Sequence, residues 1–314
     1  MIGLAVPQKP SAVHGGACRM PRRCGVSRAA LMLDVAFLLV LVGGAAWFVW
    51  RMDDVIHYRW HWGRVLEGLV YVTPQGEWHA GPLARGLAGT VRLSLWAMLA
   101  ALLLGTVAGL LRTRRRLLAR LLAGTYVDSV RNLPALVLIF VMYFFISSLV
   151  LPALGLEESV RGLPPGGRAV VGWLFAPVEQ LSAFLSAVVT LAIYEGAYIS
   201  EIVRAGIESV PRGQWDASSS FGLGPVQQMR HVILPQALRH AVPPLAGQFI
   251  SIIKDSAIVS VISVPELTFQ GMELMAATYQ TFEIWTTIAL LYLVLTLGCS
   301  LVAERLERRF RWGL

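Results

Sequence analysis

Four charged residues stand deep inside long apolar runs, away from their ends: Arg92, Glu195, Lys254 and Asp255. A charge in hydrocarbon is costly, so each marks by default a pathway or a binding group facing a cavity, with packing as the competing role. Lys254 and Asp255 are adjacent, so on a helix they cannot face one another and each needs its own partner. His57 and His61 are four apart and could share a helix face around a metal, but they lie in "HYRWHW", which reads better as an interfacial aromatic segment. The chain has two lysines, Lys9 and Lys254, neither of them after a glycine, so it holds no Gly-Lys-Ser/Thr loop to cradle a nucleotide. It also lacks a GxSxG elbow and an HExxH pair. The chemistry to expect is binding and passage, not catalysis, with no cofactor and no metal held by this chain.

The elements that must carry these residues follow from composition. Of 314 residues, 56% are hydrophobic and only 15% charged, which places the chain among integral membrane proteins. Helices hide their backbone from lipid, and the apolar runs have helical span length without strand alternation, so the fold class is all-α and polytopic. Six spans are expected, near Leu31–Trp50, Leu83–Leu111, Leu133–Leu151, Leu181–Ile202, Ala241–Val264 and Ile284–Ala303.

Basic residues stay on the cytoplasmic side during insertion. Lys9, Arg19, Arg22, Arg23 and Arg28 precede the first span, Arg112, Arg114, Arg115, Arg116, Arg120 and Arg131 follow the second, Arg212, Arg230 and Arg239 follow the fourth, and Arg305, Arg308, Arg309 and Arg311 follow the sixth. The opposite loops hold only Arg51, Arg59, Arg64, Arg161 and Arg168, so both termini are expected in the cytoplasm. The net charge of +8 is then a consequence of topology, and no nucleic-acid partner is needed to explain it. Contact between Arg112–Arg120 and membrane lipid headgroups is a secondary reading. The first apolar run continues through "WFVW", longer than a secretory leader, and reads as an uncleaved anchor. Cys18, Cys24 and Cys299 show no metal-ligand spacing.

Between the fourth and fifth spans lies "GQWDASSSFGLGPVQQMRHVILPQALRHAVPP". Gln214 to Phe221 can form a short helix, Gly222 and Gly224 permit a tight turn, and Pro225 suits the start of a second helix. Pro235 is expected to end or bend that helix, and Pro243 with Pro244 to start the fifth span. Gly105 and Gly109 form a GxxxG pair suited to close helix packing, within the subunit or across a dimer. Asn132 followed by Pro134 reads as a cap and first turn for the third span.

The polar stretch resembles a family. "DAS", three residues, Gly222, nine residues, Val232, one residue and Leu234-Pro235 is similar to the EAA loop of permease subunits of ATP-binding cassette importers. "YEGAYISEIVRAGIESVPRGQWDASSSFGLG" and "HVILPQALRHAVPPLAGQFISIIKDSAIVSVISVPEL" resemble the subfamily that imports polar amino acids (histidine, glutamate and glutamine type). The pattern departs at Asp216, which replaces the usual Glu, and at Ser218, which replaces the second Ala.

What the resemblance implies is a type I importer permease core of five helices over 83–304, with an extra N-terminal helix and extracytoplasmic segment over 31–82. Short cytoplasmic tails would cover 1–30 and 305–314. The loop near 212–240 would dock in an ATPase subunit through Gln214, Asp216, Ala217, Ser218, Gly222, Leu234 and Pro235, so that ATP is used by the partner. The other expected partners are an extracytoplasmic binding protein that delivers the amino acid and a second permease, the same or related. The setting would be a bacterial inner membrane. Arg92 would hold the substrate carboxylate and Glu195 its ammonium, with Lys254 and Asp255 in a "KDS" element serving helix interruption or gating. Glutamate, aspartate or glutamine is the expected cargo. An ion-coupled carrier using Glu195, Lys254 and Asp255 is the alternative, and a non-transporting scaffold is a third reading; both leave the loop poorly explained.

Overall fold

The computed structural model describes residues 28–56, 58, 60–114 and 116–311. The chain divides into two compact units, Met1–Trp60 and His61–Leu314. The first contains one described helix, α1 (Arg28–Ile56), which coincides with the first expected span although its apolar stretch, Met32–Gly44, is short. The expected tail and His57 lie outside the described residues.

The second unit opens with α2 (Trp62–Leu69) and a hairpin of β1 (Val70–Val72) and β2 (Trp78–Ala80). Then come α3 (Pro82–Thr113), α4 (Leu117–Asn132) and α5 (Ala135–Phe145), which runs through a wide turn at Ile146–Val150 into α6 (Leu151–Leu154). Two short helices, α7 (Leu156–Arg161) and α8 (Pro165–Leu174), lead to α9 (Leu181–Glu208). After α9 stand α10 (Arg212–Ser220), α11 (Pro225–Gln228), α12 (Leu234–Asp255), α13 (Leu267–Thr278) and α14 (Thr281–Arg311). Among the described residues five helical stretches are long and apolar enough to span a membrane: Pro82–Thr113, Ala135–Leu154, Val178–Glu208, Pro225–Ile262 and Thr281–Arg305.

The core is a parallel pair, α3 against α9. Leu93 and Ala97 pack with Phe184, Ala187 and Leu191, and Ala101 with Ala192 and Ile199. The glycines expected to permit close approach meet α9 of the same chain. A β-carbon on Gly105 would lie 2.7 Å from the Gly196 carbonyl oxygen, and one on Gly109 would lie 2.9 Å from that of Ser200. In a bilayer, where water drives no helices together, such backbone contact is what joins them. Gly105→Val is expected to cost about 1–3 kcal/mol through overpacking. Gly124→Val, which meets nothing within 4 Å, is expected to leave the thermal midpoint of the detergent-solubilised chain unchanged.

Three sequence expectations are corrected. The arginine-rich segment after the second span is mostly helix α4, which places Ala123, Val127 and Val130 inward at helical spacing and exposes Leu117, Leu118, Leu121 and Leu122. Arg120 stands exposed one turn before Ala123, and Arg131 near the other end of the helix reaches Glu201 of α9. Pro243 and Pro244 do not start a span but sit inside α12, their missing N–H bonds absorbed within a continuous helix. Asn132 closes α4, its amide donating to the Asp128 carbonyl at 2.7 Å, and Pro134 is the residue that precedes α5. α2 and the hairpin belong to the large unit, because Val65 packs with Leu83, Leu267, Ile284 and Ile288.

Glu266 ties this region together. It begins α13, accepts from the Thr268 and Phe269 N–H groups at 2.8 Å each, and accepts from the Tyr292 hydroxyl of α14 at 2.8 Å. Thr90 of α3 accepts from the Leu267 N–H at 3.1 Å. Burial pushes the Glu266 carboxyl up, and these donors pull it back. Glu266→Ala is expected to cost at least the ~1–2 kcal/mol of a lost helix cap, read as an earlier thermal transition than in Glu266→Gln.

Candidate functional site

Two features stand apart from apolar packing: the loop after α9 and a half-buried polar face of α9. The loop is a compact knob. α10 ends at Ser220, Gly222 turns with φ of +74°, and Pro225 starts α11. A left-handed φ suits glycine because other residues crowd the following carbonyl. The Gly224 N–H donates to Gln227 Oε1 at 3.0 Å, and Gln228 donates to Ser219 Oγ at 2.8 Å and the Leu223 carbonyl at 3.0 Å, closing the corner. Gln214 of α10 accepts from Gln236 of α12 at 3.3 Å.

Beneath the knob Ile207, Val210, Ile233 and Ala237 form a buried cluster with Leu110, Trp215, Met229 and Val232 around it, so the knob is seated on α3, α9 and α12. The wide turn Met229–Ile233 joins α11 to α12, and Leu234 is half-buried there. Of the motif residues Ser218 is buried, its hydroxyl donating to the Trp215 carbonyl at 2.8 Å, so a small side chain is required. Asp216, Ala217, Gly222 and Pro235 face outward. Beside them is a residue sequence reasoning passed over: Phe221, 85% exposed at the corner, with Val226 exposed next to it.

The faces of α9 are assigned by what covers them. Gly196, Ile199 and Val203 face α3, Glu195 and Gly206 face α12, and Ile193 and Ala197 face α4 and α5. At about 100° per residue the remaining direction collects Tyr194, Tyr198, Glu201, Ala205 and Glu208. Glu201 is met by Arg112 at 2.7 Å, Arg204 at 2.8 Å and Arg131 at 3.3 Å. The Arg131 guanidinium also lies 5.3 Å from the Tyr198 ring centre, within cation–π range. An open cleft of about 560 Å³ continues along this face, lined by Arg131, Glu201, Arg204, His240 and Pro244 among others.

Glu195 borders the stripe. It is fully buried and accepts a hydrogen bond from Gln248 of α12, while its Oε1 has no partner among the described residues. The Asp255 carboxyl lies nearby, beside Tyr194 as well. Lys254, one residue away, is exposed, and the chain changes from α to the tighter 3-10 form at Ser256–Ile262 directly after this pair.

Arg92 is elsewhere. Its guanidinium donates to the Gly172 carbonyl at 3.0 Å and the Trp173 carbonyl at 3.3 Å, and Trp96 donates to the Leu174 carbonyl at 2.9 Å, so together they cap the end of α8. Arg92 also lines a cleft of about 400 Å³ with Arg85, Gln180 and Gln270. Arg92 is thirteen residues from Gly105, which touches Gly196, so the two intramembrane charges are ~20 Å apart along the helix axis. One amino acid cannot bridge them, and the structure does not bring them together as a single pair of ligands. A cation that does meet this face of α9 is Arg131, which was read only as an orientation signal; the spacing of Tyr194, Tyr198 and Glu201 on one helical face was the available clue.

Residues 101–312 match the family described as binding-protein-dependent transport system inner membrane component. The glutamine transport system permease protein GlnP of Escherichia coli (strain K12) is 34% identical over 235 residues, 74% of this chain and 95% of that protein. The glutamate/aspartate import permease protein GltJ of Escherichia coli (strain K12) is 30% identical over 253 residues, 80% of this chain and 95% of that protein. The crystal structure of an amino acid ABC transporter with histidines is 32% identical, covers 73% of this chain and 94% of its own, and superposes with a TM-score of 0.57. The chain therefore belongs to the binding-protein-dependent transport system inner membrane component family and is a permease subunit of an ATP-binding cassette importer.

Proposed function

We propose that the chain is half of an inner-membrane translocation path for a polar amino acid of the glutamine or glutamate type, delivered by an extracytoplasmic binding protein and driven by a separate ATPase. The observation that carries this reading is the half-buried polar stripe of Tyr194, Tyr198 and Glu201, running to exposed Glu208 along a membrane helix and opening on the cleft beside Glu201. Lipid would penalise such a face, so it belongs against water and a second permease. Glu195, Gln248 and Asp255 offer acceptors for an ammonium at one part of the path, and Arg131 offers a cation for a carboxylate at another. The Phe221–Gly222 knob is the dock for the ATPase, and the concentration of basic residues on that side supports a cytoplasmic location for both termini.

The test is reconstitution of the chain with its ATPase and binding protein in proteoliposomes. Amino-acid uptake that requires internal or external ATP on the ATPase side supports the proposal. Uptake driven by an ion gradient alone, with no ATPase present, would overturn it in favour of a secondary carrier.

A further inference from the structure

The hairpin before α3 presents an apolar face that no described element of its unit covers. In its antiparallel register Val70 faces Ala80, Tyr71 faces His79 and Val72 faces Trp78. Side chains alternate along a strand, so Val70, Val72, Trp78 and Ala80 share one face and Tyr71 and His79 the other. The second face carries its own partner, the Tyr71 and His79 rings stacked with centres 5.7 Å apart. The first is entirely apolar and exposed, with Trp78 at 77%.

Position identifies what covers it. The hairpin runs through Gly81 directly into Pro82, the first residue of a membrane span, and a β-carbon on Gly81 would lie 2.2 Å from the Gly68 carbonyl oxygen, so hairpin, α2 and α3 meet backbone to backbone. At the same end of the unit Trp62, Tyr279 and Trp285 are exposed around the start of α14, another span. Tryptophan and tyrosine collect where the headgroups meet the acyl chains, because one ring satisfies both media. We infer that the hairpin lies on the bilayer, with its Val70, Val72 and Trp78 face in the headgroup–acyl boundary and its Tyr71–His79 face in water. The occupant is phospholipid, and the hairpin fixes the depth and tilt at which α3 enters the membrane.

The experiment is collision accessibility of nitroxide labels on the full chain in phospholipid nanodiscs, with Cys18, Cys24 and Cys299 replaced by serine. Val72→Cys and, separately, Val70→Cys probe the apolar face; His79→Cys probes the other. The expected result is an oxygen-to-nickel-chelate accessibility ratio several-fold higher at 70 and 72 than at 79. Equal chelate access on both faces would show a hairpin standing in water. Protection of 70 and 72 from both oxygen and chelate would show that protein, not lipid, covers the face. Either outcome overturns the inference, and both are independent of whether the chain transports.

Discussion

A complex carrying Phe221→Asp is expected to lose ATP-driven uptake by about a hundredfold, the effect of removing one aromatic anchor from an interface centre. Phe221 is 85% exposed on the knob with exposed Val226 beside it, and its backbone is held by the corner at Gly222. An aspartate there would be carried into whatever groove receives the ring. Because Phe221 packs against no core residue, the isolated chain should keep its thermal midpoint, and co-purification with the ATPase should fall with uptake. Gly222→Val acts on the same dock through the backbone: a β-branched residue at φ +74° costs ~1–2 kcal/mol, about a tenfold loss. Undiminished uptake in Phe221→Asp, with ATPase still bound, would remove the knob from the coupling interface.

The second large effect is expected at Glu195. Glu195→Gln should raise the substrate KM about tenfold or more, since a hydrogen bond to a charged partner contributes roughly 1.5–3 kcal/mol. Its buried carboxylate uses one oxygen on Gln248 and leaves Oε1 unpartnered among the described residues. If Glu195 served only to position Gln248, the amide would supply the same acceptor and KM would stay put. Glu195→Ala separates the two further, because it takes the acceptor from the half-buried Gln248 amide and lowers stability as well as uptake. Uptake kinetics and thermal midpoints of the two variants together decide the role.

The spans were legible because twenty-residue apolar runs have few other uses, and the glycine corner was legible because few residues tolerate its backbone. What escaped depended on neighbours distant in sequence. Arg131 looked like an orientation signal until α4 folded it over Tyr198 and Glu201. Nothing in the sequence around Arg92 announced that it would also donate to the carbonyls at the end of α8. Glu266, at the end of an apolar run, gave no hint that Tyr292, twenty-six residues later, would donate to it. The polar face of α9 was half legible: its period is helical, but only the packing of α3, α4 and α12 shows which side is left open.

The seam between α3 and α9 has a mechanical consequence. Where Gly105 and Gly109 bring the α3 backbone against α9, only the stiff β-branched Ile199 and Val203 side chains lie in the seam, so the two helices bend as one girder of doubled section. α9 is 28 residues, ~42 Å at the helical rise, and the knob is bolted to one end through Ile207, Val210 and Ile233. A push delivered at the knob is therefore transmitted across the membrane as a tilt of the whole beam, with little lost to flexure on the way.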